Sequence, residues 1–139
     1  MKIGLAIYNI LNNDADVSAL VSTKIFPNVA KQGTAFPFIV YQTTGVDPTD
    51  TKDGVSPMDT NAFEVLCFAD SYSAAVDLAQ KARIALDRVS GTYPATTGIK
   101  IQSIKFNSVD EDFEIEGDGR GVYVQTLSFD LRQVSPVAN

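Results

Sequence analysis

The chain has 139 residues, 45% of them hydrophobic, with 17 acidic and 11 basic side chains, one cysteine and no histidine. A formal charge of −6 argues against a protein that wraps nucleic acid by neutralising phosphates. The lack of histidine excludes histidine-assisted serine or cysteine nucleophiles and histidine-held metals, while Cys67 alone cannot close an intrachain disulfide, which suits assembly in a reducing cytoplasm.

The first eleven residues place Ile3, Ala6, Ile7, Ile10 and Leu11 at helical spacing, so they read as a helix rather than a cleaved leader. No stretch has the length of a membrane span. Asn12-Asn13-Asp14 breaks the pattern, and Asp14 or Asp16 is placed to cap a short second helix through Val21. Lys24 to Pro27 reads as a brief extended segment. Phe36 to Thr44 alternates as a strand, with Pro37 at its start or on an edge.

Gly45 to Thr60 is polar and rich in aspartate, glycine and proline, and predicts a long exposed loop of the kind that carries function or is disordered. It is expected to order only against a neighbour, which makes Asp47, Asp50 and Asp53 candidate interface residues. The aspartates at 47, 50, 53 and 59 lack the alternate-residue spacing and closing glutamate of a calcium loop, so a solvated loop is the preferred reading.

Asn61 to Ala69 is the clearest strand. Phe63, Val65, Cys67 and Ala69 share one parity and Leu66 and Phe68 the other, so a central strand with two covered faces is expected. A helix follows, capped near Ser71 and stopped near Gly91. Its stripe Ala75, Leu78, Ala79, Ala82, Leu86 and Val89 faces the sheet. Asp77 with Lys81 and Arg83 with Asp87 are spaced for exposed pairs. Ile84 interrupts the polar face and is a candidate contact residue, although solitary exposed isoleucines are common.

Beyond a turn-rich connector, Ile99 to Val109 and Gly121 to Gln133 are strand-like, and between them lies an acidic stretch from Asp110 to Arg120. Asp118-Gly119 suits a turn. The stretch predicts a long β-hairpin arm that reaches a neighbouring chain through Phe113 and Ile115, which alternate with Asp112, Glu114 and Glu116. Its alternate carboxylates resemble metal ligation, but Ile115 stands where glycine is needed. The expected fold is α+β: a mostly antiparallel sheet of about four strands with helices packed on one face. Residues 1–133 are read as one domain and 134–139 as a disordered tail. No glycine-rich phosphate loop precedes a helix, and the chain reads as a non-enzyme without cofactor or metal.

The first helix, the run Asp16-Val17-Ser18-Ala19-Leu20-Val21, then Lys24-Ile25-Phe26-Pro27, Phe36 to Tyr41, and Phe63 to Phe68 with Ala75, Leu78, Ala79 and Leu86, in this order, resemble the tail completion proteins of long-tailed phages. The likeness covers 1–133 and carries no catalytic motif. It implies a virion protein forming a ring, of about six subunits, that caps the head-proximal end of the tail tube. Such a ring ends tube polymerisation and joins the tail tube protein to the head connector or stopper protein. DNA passes its lumen without specific binding, and six copies at −6 carry −36, which repels a polyanion. A small ligand-binding or regulatory α+β domain would fit the same layout, and a carboxylate hydrolase is a third class.

Overall fold

The computed structural model describes residues 3–31, 33–48, 58–95, 98–115, 119 and 121–134, with backbone alone for 46–48 and 58. The elements are α1 (Ile3–Asn13), α2 (Ala15–Val21), β1 (Ile25–Pro27), β2 (Phe38–Pro48), β3 (Met58–Ala69), α3 (Tyr72–Leu86), β4 (Gly91–Tyr93), β5 (Ile99–Ile115) and β6 (Gly121–Val134). The strands build one curled sheet in the order β1-β2-β3-β6-β5-β4. β1 runs parallel to β2, and all other neighbours are antiparallel.

The α+β class and the helix-covered face match the sequence expectation; the strand count does not. The sheet has six strands rather than about four, because β1 and β4 are three-residue edge strands, too short to show a periodicity. The expected 45–60 loop is also shorter. A register shift between Thr43 and Gly45 lets the ladder continue from Gly45 opposite Ala62 to Pro48 opposite Asp59, so pairing overrides the breaker-rich composition. Residues 49–57 lie outside the described residues.

The acidic stretch likewise joins a strand, since β5 pairs with β6 as far as Ile115 opposite Gly121. A free-standing arm is not what this produces. The far side of β6 is held by β3 from Tyr123 to Val134, so only Gly121 and Val122 extend past the last β3 pair. Val134, read from sequence as the start of the tail, closes β6 opposite Met58, and 135–139 lie outside the described residues.

The second and third helices begin where a side chain satisfies their free amides. Asp14 accepts from the amides of Asp16 and Val17, and Ser71 from that of Ala74. α3 stops at Leu86, short of Gly91. The Asp87 amide bonds the Arg83 carbonyl, and Arg88 turns the chain at φ 66° so that its amide reaches the Ile104 carbonyl. The end of α3 is therefore fixed by docking to β5. Arg83 and Asp87 approach to 3.9 Å, and the Arg83 guanidinium lies 4.0 Å over the Phe106 ring, a cation–π contact.

The core lies between the three helices and one sheet face. Buried Ile3, Ile7, Leu11, Leu78 and Leu86 meet Ile39, Val65, Cys67, Leu127 and Leu131 there. Phe63 and Phe129 sit opposite each other on β3 and β6 with ring centroids 5.0 Å apart. The opposite face carries a second apolar layer. Phe38 stacks on Phe36 at 5.5 Å and on Phe68 at 4.7 Å, and Asn28 to Lys31 with Gly33 and Thr34 wall a groove with Phe38, Val40, Leu66 and Phe68. This second layer explains why both parities of β3 are apolar.

Three outcomes test this arrangement. Phe129→Ala should cost about 3–5 kcal/mol, measured by denaturant unfolding. Cys67 is fully buried and burial pushes its thiol well above the ordinary range, so a thiol reagent should label the native protein only as fast as it unfolds, and Cys67→Ala should cost about 1 kcal/mol. Asn61 is fully buried and, among the described residues, neither side-chain polar atom has a hydrogen-bond partner. Because a stranded buried polar group costs roughly 1–3 kcal/mol, Asn61→Leu should raise Tm; a lower Tm would show that the amide is satisfied.

Candidate functional site

The outer half of the β5–β6 hairpin sorts its side chains by chemistry. The bulge between Phe106 and Ser108 resets the parity, after which Val109, Glu111, Phe113 and Ile115 lie opposite Leu127, Gln125, Tyr123 and Gly121, while Asp110, Asp112 and Glu114 lie opposite Thr126, Val124 and Val122. Leu127 and Gln125 share the helix-side face with Val65 and Cys67. The strand thus shows Val109, Phe113 and Ile115 with one carboxylate, Glu111, on the helix side, and Asp110, Asp112 and Glu114 on the other. Phe113 is 51% exposed and Ile115 74%, well above what a covered strand would leave.

Where α3 begins, its first turn meets this strand. The Tyr72 hydroxyl donates to Glu111 Oε2 at 2.7 Å and Gln125 Nε2 donates to the same oxygen at 2.9 Å. Tyr123 packs between two rings, Tyr72 at 6.0 Å and Phe113 at 4.9 Å. Together with Asp112 these residues line a shallow cavity of about 300 Å³. The hydrogen bond from Tyr72, and next that from Gln125, hold the Glu111 carboxyl below the usual range, and the bond to Glu111 raises the Tyr72 hydroxyl. Both effects come from a bond to the ionised carboxylate. A half-open aromatic shelf with a fixed anion is suited to holding an apolar or cationic side chain by contact.

The structure gathers only some of the residues expected from sequence. Asp112, Phe113, Glu114 and Ile115 stand together at the end of β5. Ile84 is 64% exposed on the outer face of α3. Asp47 lies on β2 opposite Thr60, and Asp59, expected in the loop, is buried on β3. Asp50, Asp53 and Glu116 lie outside the described residues. The β2–β3 connection leaves the sheet beside Val134 of β6, whereas the hairpin turn follows Ile115 opposite Gly121. Asp47 and the group from Asp112 to Ile115 are therefore at opposite ends of the sheet. Among the described residues no cluster of three or more carboxylate or thiol groups is placed to hold a metal.

Tyr72, Glu111 and Gln125 were not singled out from sequence. Gln125 was the legible signal: it is a polar residue on the parity otherwise filled by Tyr123, Leu127, Phe129 and Leu131, and a glutamine buried to 4% needs a partner. Glu111 gave no such signal, because it sits among acidic neighbours of which only it reaches Tyr72.

A family model described as tail completion protein gp17 matches residues 5–130. No curated protein sequence matches the chain significantly. Among solved structures, a chain of the "Virion of native gene transfer agent (GTA) particle" superposes with a TM-score of 0.67 at 19% identity, covering 94% of this chain and 92% of that one. At that identity the likeness is one of fold.

The Tyr72–Glu111 bond sets a pH expectation. A carboxylate held low in the folded state contributes stability above its unfolded pKa, and that contribution is lost as pH falls through the lowered folded value. Tyr72→Phe should move the Glu111 titration midpoint upward in carboxyl-detected NMR; an unmoved midpoint would show that the hydroxyl does not act on it.

Proposed function

We propose that this chain, which belongs to the tail completion protein gp17 family and is a structural protein of the virion tail, forms a ring that caps the head-proximal end of the tail tube. In this reading it ends tube polymerisation and supplies the surface on which the head connector or stopper protein docks. The family match over 5–130 carries the proposal. It works by shape and contact as one α+β unit, with no catalytic step.

Two features of the chain support the reading. The two ends of its sheet are distinct, one at Pro48 and Met58 and the other at Ile115 and Gly121, which suits a component with one neighbour above and another below. Its net charge of −6 gives a ring of about six copies a strongly negative field, and DNA crossing such a lumen is repelled rather than trapped.

Mass measurement of the purified protein across a concentration series should show a discrete closed oligomer, about a hexamer, in exchange with monomer. Particles assembled without the chain should carry tube that continues past its normal end and fails to join heads. A chain that stays monomeric at every concentration, with tails of normal length in its absence, would overturn the proposal.

A further inference from the structure

A closed ring of identical copies needs two different surfaces that fit each other, on opposite sides of the subunit. The sheet offers such a pair. On one side, β4 covers only Ile99 to Ile101 of β5, and contacts from Asp87 and Arg88 reach Ile104 and Phe106. From Ser108 to Ile115 the outer edge of β5 has no strand beside it among the described residues. On the other side, β1 covers only Ile39 to Tyr41 of β2, and Gln42 to Pro48 has no outer strand among the described residues.

The two edges differ in charge and match in relief. The β5 edge carries Asp110, Asp112 and Glu114 on the helix-free face, and Phe113 and Ile115 on the helix side. Like charges set this edge against a copy of itself, so a β5-to-β5 dimer is disfavoured. The β1–β2 edge carries cations. Lys24, whose Nζ reaches the Ala35 carbonyl at 3.1 Å, immediately precedes β1, and exposed Lys31 lines the groove on the helix-free face. On the helix side of the same edge an open groove of about 370 Å³ is lined by Leu5, Pro27, Asn28, Tyr41 and Thr43, and Leu5 is 61% exposed.

We propose that the outer edge of β5 in one copy packs against the β1–β2 edge of the next, with Phe113 and Ile115 seated in the groove beside Leu5 and Tyr41, and the carboxylates of Asp110, Asp112 and Glu114 meeting Lys31 and Lys24. Edge-to-edge alignment brings helix side to helix side, and because Tyr41 is level with Val109 rather than Phe113 across the ladders, the next copy is displaced along its strands so that Phe113 and Ile115 reach the groove while the carboxylates stay within reach of the lysines. The apolar pair supplies the buried anchor, and the charged rim fixes the register and direction. The occupant is a second copy of this chain, and the inference rests on the ring reading above.

Paired cysteines test the contact. Leu5→Cys and Phe113→Cys in the same chain, with buried Cys67 left in place, should on mild oxidation give a covalent ladder ending in a closed ring. Lys31→Glu and Asp112→Lys should each weaken association about tenfold or more at low salt, and the double variant should recover most of it. Phe113→Ser with Ile115→Ser should abolish association while the monomer, which loses the Phe113–Tyr123 contact, stays folded by circular dichroism. A discrete ring by mass without any inter-chain disulfide, or single charge reversals that associate as the wild type does, overturns this contact and leaves the ring standing. A ladder that never closes keeps the contact and removes the ring. A wild type that stays monomeric and gives no cross-link removes both.

Discussion

The stack of Phe63 on Phe129 is the contact on which the other packing depends. It joins β3 to β6, the two central strands of the sheet, across the middle of their twelve-pair ladder, and it lies in the same core as the buried leucines of α3. Phe106 adds a third ring, edge-on to Phe129 at 5.6 Å, and Arg83 covers Phe106 from the helix. One aromatic column thus runs from β3 through β6 and β5 to α3. A helix set only by its small-residue stripe would be free to slide, since Ala75, Ala79 and Ala82 have little relief to interlock. The column and the hydrogen bonds of Asp87 and Arg88 to β5 fix its position.

The elements that the sequence revealed are those whose signal is local. The caps at Asp14 and Ser71, the stripe of α3 and the double apolar parity of β3 each follow from residues within a few positions of one another, and each appears in the structure. The elements that escaped are made by partners distant in sequence. β4 exists because Ile99 to Ile101 offer it an edge, and the extension of β2 to Pro48 exists because β3 runs beside it. Nothing in Gly91-Thr92-Tyr93, or in Gly45 to Pro48, declares a strand alone. The same reason hid the bond between Tyr72 and Glu111, 39 residues apart. The family resemblance was legible because it lies in core positions, which local pattern exposes well.

The helix-free face has a different character from the core. Its aromatics form a chain from Phe26 through Phe38 to Phe68, with centroid distances of 6.3 and 4.7 Å, under a loop rather than a helix. That segment is tied to the sheet in its own right, since the Asn28 amide bonds the Tyr41 carbonyl, and it adjoins the edge that carries Lys24.

The bulge in β5 at Asn107 sets which chemistry faces which way. Every side chain from Ser108 to Ile115 takes its face from that one extra residue, because strand orientation alternates strictly and a single-residue slip reverses it. Substitutions along this edge can accumulate one at a time, each altering one contact. Loss or gain of one residue at the bulge instead exchanges the carboxylates with Phe113 and Ile115 along the whole edge in a single event. Among descendants of this chain, length at that point should be held more tightly than residue identity.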